Sequence, residues 1–288
     1  MLPRPARAIH LGAMPRPARA RPRIRSRAAR GSTAKPRTPA RRGARWGRLA
    51  LIALLCCAAA AAAFWLTLPS VEPLRSAPPQ TTALQAARFA EAAARGRAAR
   101  RIQRWVPIAS ISNYLREAVV NSEDARFYDH DGFDSVETTA AMTQAWEQGR
   151  LGRGASTLTQ QLAKNLWLGE ERSLLRKARE VVLAKRLEGL GKERVLELYL
   201  NVVEWGDGVW GADAAARTWF GKPSSQLLPE EAAVLAAMLP APRKRNPRHP
   251  SARLRARAAQ VLELFGMYRQ LPPDELAAAR ERLKALLG

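Results

Sequence analysis

Glu123 stands at the end of an apolar helical stripe made by Leu115, Ala118 and Val119, whose face continues through Ser122. Packing there withdraws water from its carboxyl, and desolvation raises a carboxyl pKa toward the range suited to proton transfer near neutral pH. The position also lies near a helix C-terminus, where the backbone dipole disfavours negative charge. An ion pair with Arg126, three residues on, is the bland alternative. Ser156, Gln160 and Lys164 recur at four-residue intervals, so one helix face presents all three, as an ordinary solvated face also would. Arg176, Lys177 and Glu180 have the spacing of plain helical salt bridges. His130 reads as a hydrogen-bonding residue rather than a base, and Tyr199 and Asn201 as supports of a cleft wall, because a two-residue helical offset points them apart.

The elements that must position these residues are helices. Apolar periodicity predicts one over Asn113–Arg126 and a second from near Ser156 to near Trp167, where Thr157 and Gln160 fit a capping box. A third runs over Ser173–Leu190, with Leu183, Leu187 and Leu190 on one face. A fourth begins after Gly191 and carries Val195, Leu198, Tyr199 and Val202. Pro229–Met238 is apolar after its first turn and belongs at the centre of the core, with Pro240 and Pro242 ending it. No alternating strand pattern stands out.

The chain has 288 residues and a net charge of +23, unevenly spread. Residues 1–48 hold 15 Lys or Arg and no acidic residue, which leaves +8 for the other 240. This Pro/Arg/Ala-rich tail, with Pro-Arg-Pro-Ala-Arg-Ala at 3–8 and again at 15–20, has too little apolar content for a core and reads as disordered. Met14 is an alternative start. A basic tail suits anionic membrane or nucleic acid, but no helix-turn-helix, zinc-ligand or aromatic motif supports the latter. Leu49–Leu68 is apolar except for Thr67, and twenty helical residues span roughly 30 Å, enough to cross a bilayer. The preceding charge predicts an N-terminus inside and the rest outside. A cleaved signal peptide is the alternative, though Phe64, Trp65, Leu66 and Leu68 extend the apolar run. Both cysteines, Cys56 and Cys57, lie in this segment, so the exported part needs no disulfide. Pro69–Gln80, with four prolines, reads as a linker, and 81–104 as a helical stalk or domain edge.

Four motifs occur in order. Glu123-Asp124-Ala125-Arg126-Phe127-Tyr128-Asp129-His130-Asp131-Gly132 fits Glu-Asp-x-x-Phe-x-x-His-x-Gly. Residues 154–165 fit Gly-x-Ser-Thr-x-x-Gln-Gln-x-x-Lys-Asn, 176–180 fit Arg-Lys-x-x-Glu, and 192–201 fit Lys-x-x-Ile-x-x-x-Tyr-x-Asn with Val195 in the Ile place. This ordered set resembles the peptidoglycan glycosyltransferases, specifically the monofunctional biosynthetic transglycosylases, over about Trp105–Pro247. One departure is Ala241 in Leu239-Pro240-Ala241-Pro242, where the family often has Asn.

The resemblance implies an all-α, lysozyme-like globular lobe with a smaller membrane-facing jaw lobe, preceded here by one transmembrane helix. The resulting division is a basic cytoplasmic tail at 1–48, a transmembrane helix at 49–68, a linker or stalk at 69–104 and a glycosyltransferase domain at 105–288. It implies polymerisation of lipid II into β-1,4-linked glycan with release of undecaprenyl pyrophosphate, by an inverting reaction at a bacterial inner membrane. Glu123 matches the family's base. Lys164, Arg176 and Lys177 match its pyrophosphate-binding cations, and Ser156 and Gln160 face substrate beside them. Glu180 matches a second acidic residue, orienting the cations or binding Mg²⁺ or Mn²⁺ jointly with the pyrophosphate. There is no His/Cys cluster for zinc, and no organic cofactor is implied. Cell-wall synthesis proteins are the expected protein partners. Asp131–Arg153 corresponds to the jaw, with apolar Phe133, Val136, Met142, Trp146 and Leu151 and loosening Gly149, Gly152 and Gly154; a local core is the alternative.

Three other readings compete. Ser32-Thr33-Ala34-Lys35 has the Ser-x-x-Lys form of a transpeptidase nucleophile, but no Lys-Thr-Gly or Ser-Asp-Asn follows. About 40 residues follow the last block, so only glycan synthesis is expected. A lytic transglycosylase or lysozyme would share the fold and an acidic residue, but would have no use for the Lys164, Arg176 and Lys177 set. A membrane-tethered basic adaptor would explain the tail and leave the motifs unexplained.

Overall fold

The helix Pro229–Met238 is buried along all ten of its residues. Its sequence explains this: after Pro229, Glu230 and Glu231 come Ala232, Ala233, Ala236 and Ala237, small side chains that let neighbouring helices approach on every side. The two glutamates that enter the core are neutralised there. Glu230 pairs with Arg282 (2.6 Å) and Glu231 with Lys222 (2.9 Å), while Glu231 also accepts a hydrogen bond from the Leu228 amide. The expected position and bounds of this helix are both observed.

The computed structural model describes residues 40–147, 156–169 and 173–288. The helices among them are α1 (Ala40–Leu66), α2 (Ala83–Ala94), α3 (Asn113–Glu123), α4 (Ser135–Glu147), α5 (Leu158–Ala163), α6 (Leu174–Glu188), α7 (Lys192–Val202), α8 (Ala212–Phe220), α9 (Pro229–Met238), α10 (Ala252–Met267) and α11 (Pro273–Leu287). Helix α9 packs on α3, α10 and α11, and α5 packs between α6 and α7. The architecture is all-α and fits the expected lysozyme-like lobe. A small sheet is the one departure. Strand β1 (Ile102–Gln103) runs parallel to β3 (Val209–Trp210), which pairs antiparallel with β2 (Glu204–Gly206). Strands of two or three residues are too short to show an alternating pattern, so the sequence carries no sign of them.

Helix α1 straddles the boundary between two structural units, at Ala60 and Ala61. Its stretch Arg45–Leu66 is long and apolar enough to cross a membrane, and none of it is buried in the protein, which fits membrane anchoring. The span therefore stops two residues before the expected Leu68, whose side chain is buried in the lobe. The low-complexity tail through residue 39, including Ser32 to Lys35, lies outside the described residues.

Residues 69–104 are not a free linker. Leu74, Leu84 and Gln85 are buried, the Leu74 and Ala77 carbonyls accept hydrogen bonds from Arg194, and Gln103 donates to the Asn201 carbonyl. The prolines stiffen a segment that the lobe then holds by its backbone carbonyls.

Candidate active site

Helix α3 ends at Glu123 because Asp124 turns out of the helical region, to φ −162° and ψ 71°. That turn aims the Asp124 carboxylate at the start of α5, where Oδ2 accepts the Leu158 amide (2.8 Å). Oδ1 lies 2.9 Å from His130 Nε2. The Gly132 amide donates to His130 Nδ1 (3.1 Å), so that nitrogen carries no proton and Nε2 is the donor to Asp124. Gly132 itself has φ +83°, and a Cβ there would lie 3.1 Å from the Ala184 backbone, so only glycine fits. Its carbonyl accepts the Thr157 hydroxyl (2.8 Å). The first motif thus builds a clamp between the end of α3 and the start of α5. His130 has the hydrogen-bonding role expected of it. Asp124 is its hub, which no role assigned from the sequence anticipated.

Glu123 opens into a cleft of about 220 Å³, whose lining includes Ser122, Asp124, Glu137, Ser156 and Thr157. Burial pushes its pKa above the ordinary carboxylate value; a hydrogen bond from Gln161 and the charges of Arg257 and Arg245 pull against it without cancelling it. Gln161 Nε2 donates to Glu123 Oε2 at 3.3 Å, and the Tyr199 hydroxyl donates to Gln161 Oε1 at 3.0 Å. Arg257 on α10 donates to the Ser122 carbonyl (2.9 Å), and Arg245 donates to the Ala237 carbonyl. The alternative pairing of Glu123 with Arg126 does not form; Arg126 instead pairs with buried Asp134 (3.0 Å).

The second half of the cluster is cationic. Lys177 Nζ donates to Ser156 Oγ (3.2 Å), Gln160 Oε1 (2.9 Å) and Glu180 Oε1 (2.5 Å), which uses all three of its protons. Arg176 Nη1 donates to Glu180 Oε2 (2.5 Å). The expected capping box at Thr157 is half formed. Thr157 Oγ1 accepts the Gln160 amide, whereas the Gln160 side chain turns to Lys177, and its Nε2 is buried without a partner among the described residues. Lys164 begins a π-helical turn, Lys164–Leu168, and makes no side-chain hydrogen bond or ion pair among the described residues. Ser156 precedes the N-cap Thr157 and so is not on the helix, whereas the Lys164 amide still bonds the Gln160 carbonyl, so only Gln160 and Lys164 keep the four-residue relation; Lys177 gathers Ser156 and Gln160 instead.

Helix α5 joins the two halves. Gln160 and Gln161 are consecutive, about 100° apart around the axis, and reach Lys177 and Glu123 respectively. Asn201 bonds both the amide and the carbonyl of Val106. In the segment expected to form the jaw, Asp134 caps α4 through the Val136 and Glu137 amides, and Val136 and Met142 stand exposed. The Trp146 side chain, Leu151 and Gly149, Gly152 and Gly154 lie outside the described residues. Among the described residues no group of three or more His, Cys, Asp or Glu could hold a metal ion. Each Glu180 oxygen is paired with one cation, Arg176 or Lys177.

The transglycosylase family model matches residues 90–265. A biosynthetic peptidoglycan transglycosylase of Thiobacillus denitrificans is 48% identical over 166 residues, which cover 57% of this chain and 72% of the relative. One from Rhodospirillum centenum is 48% identical over 177 residues, 61% of this chain and 75% of the relative. One from Azoarcus is 53% identical over 141 residues, 49% and 61% of the two chains.

Proposed function

This chain belongs to the transglycosylase family, and on that premise we propose that it polymerises lipid II into β-1,4-linked glycan by an inverting displacement. It is a glycosyltransferase of peptidoglycan synthesis. Glu123 takes the proton from the 4-hydroxyl of the acceptor N-acetylglucosamine. That oxygen bonds to C1 of the donor N-acetylmuramic acid, and the bond from C1 to the pyrophosphate breaks on the opposite face. The electron pair leaves with undecaprenyl pyrophosphate, whose charge Lys164, Arg176 and Lys177 offset. Ser156 and Gln160 hold the Lys177 ammonium and offer further polar contacts to sugar and phosphate. The observation that supports this reading best is the pairing in one cluster of a desolvated carboxylate and a cation group, with Ser156 lining the cleft of Glu123 and bonded to Lys177.

A hydrolase acting on finished glycan would use the carboxylate, but it releases no pyrophosphate and gives the cations nothing to do. A divalent cation held jointly by Glu180 and the pyrophosphate would share the carboxylate with Arg176 and Lys177 and add positive charge at the leaving group; the steps above rest on the side chains alone. Incubating the purified full-length chain with lipid II and following chain length decides between the readings. Lengthening glycan is expected; shortening of preformed glycan without polymer would overturn the assignment.

The 15 positive charges before the apolar run that begins at Leu49 support an inner-membrane anchor with the tail cytoplasmic and the lobe periplasmic. The exposed apolar side chains of Val136 and Met142 support a lipid-facing role for the Asp131–Arg153 segment. Protease added outside spheroplasts should remove the lobe; a lobe that stays protected reverses the orientation.

A further inference from the structure

Glu123 Oε2, the Gln161 amide and the Tyr199 hydroxyl form one hydrogen-bonded line from the cleft into the core, with steps of 3.3 and 3.0 Å. We propose that Tyr199 and Gln161 are positioning residues that hold Glu123 in its proton-accepting form, with Tyr199 acting entirely through the orientation of the Gln161 amide. This rests on the reading of Glu123 as the base.

A primary amide fits the same space in two orientations, related by a half turn, and its neighbours decide between them. With the amino group toward Glu123, Gln161 donates to a carboxylate and stabilises the charged form. With the oxygen toward Glu123, it repels a carboxylate and suits only the protonated acid. The far end of the amide selects the orientation, and there stands Tyr199. Its side chain is fully buried on α7, and its hydroxyl makes this one hydrogen bond among the described residues. Burial, together with the charges of Glu123 and Asp124, holds the phenol well above its usual pKa, so it stays a proton donor wherever the enzyme works. The hydroxyl can also accept, but with no other acceptor among the described residues its buried proton would go unpaired if the amino group faced it, so the amide oxygen is favoured there and the amino group is turned to Glu123.

The groups facing Glu123 from each packed element make this relay consequential. Asp124 beside it raises its pKa, as burial does, while Arg257 of α10 and Arg245 after α9 lower it from outside direct contact. Gln161 is the hydrogen-bond donor to the carboxylate itself. A phenylalanine in place of Tyr199 would fill nearly the same volume, so the hydroxyl is the part that packing does not need.

The test uses the full-length chain in detergent with lipid II, with kcat and KM followed against pH. In Tyr199→Phe the acid limb of kcat should move up by about one pH unit, the scale of one hydrogen bond to an ionised group. The plateau should stay within about twofold of wild type and KM should not change, because substrate contacts are intact. Gln161→Met should move the limb in the same direction, and the double variant should move it no further, since the two residues act in series. An unmoved limb in folded Tyr199→Phe, an equal loss at every pH, or additive shifts would overturn the relay. If Tyr199→Phe does not fold, Gln161→Met decides by the same limb. The underlying base assignment fails separately: full turnover by Glu123→Gln removes it, whereas an inactive Glu123→Gln with an unmoved Tyr199→Phe limb removes only the relay.

Discussion

Glu123 meets α5 directly through Gln161 and Glu180 only through Lys177, and their surroundings differ in kind. Glu123, at the end of α3, has one amide donor on one oxygen, with Arg245 and Arg257 acting on it without contact. Glu180, in the middle of α6 and 3% exposed, has a cation against each oxygen at 2.5 Å. Burial of a carboxylate therefore does not by itself mark a base. Where counter-charge is in contact the ion is compensated, and the carboxylate serves to hold cations in place. Where counter-charge is held a step away, desolvation dominates and the carboxyl becomes ready to take a proton.

The largest expected effect comes from the uncompensated member. Glu123→Gln keeps the shape and the bond from Gln161 but cannot accept a proton, so turnover should fall at least ~10²-fold with KM little changed. Steady-state rates with lipid II measure this. Near-normal polymerisation by a folded variant would make the two glutamates alike and end the distinction.

The compensated member should be milder and different in form. Glu180→Gln leaves Arg176 and Lys177 charged but no longer held, and kcat/KM should fall roughly tenfold, chiefly through KM, as expected of misplaced rather than missing charge. The acid limb of the pH profile should stay where it is. A limb displaced as far as in the Tyr199 and Gln161 variants would mean that Glu180 itself titrates in the reaction.

Much of this contrast is written in the chain. The positions of Glu123, Lys177 and Glu180 follow from helical spacing, and α9 is legible because Pro229–Met238 has no polar face after its first turn. What the spacing cannot carry is the partner of each side chain across the fold. Arg176, Lys177 and Glu180 read as a self-contained helical trio, yet Lys177 also reaches Ser156 and Gln160 on another element. Lys164 keeps the four-residue relation to Gln160, but the repeat fails at Ser156, which stands before the N-cap Thr157 and outside the helix. Asp124 looked like a neighbour of the important glutamate, and its bonds to Leu158 and His130 depend on a single non-helical residue at the end of α3. Gln161 and Tyr199 stand in the motifs, but their link to Glu123 joins three separate helices, a relation that no local pattern encodes.

The smallest expected effect concerns stability, and its sign tests the comparison most directly. Glu123 has a folded-state pKa above its unfolded value, so in that range the native state binds more protons than the unfolded chain. Its contribution is therefore favourable below the unfolded pKa of about 4.3 and is lost as the pH rises through the higher folded value. At pH 7 the ionised carboxylate is a net cost to the fold, which Glu123→Gln removes. The variant should gain roughly 1 kcal/mol, the scale of relief found when a functional strain is relaxed. For a lobe of this size that is about 3 °C in Tm. Near pH 3, well below the unfolded pKa of about 4.3, wild type carries the proton in both states and the difference should close. Thermal melts of the two proteins at about pH 3 and pH 7 measure the change directly. A wild type more stable than the variant at pH 7 would mean that Arg245, Arg257 and Gln161 together outweigh burial, and that Glu123 is compensated in the way Glu180 is.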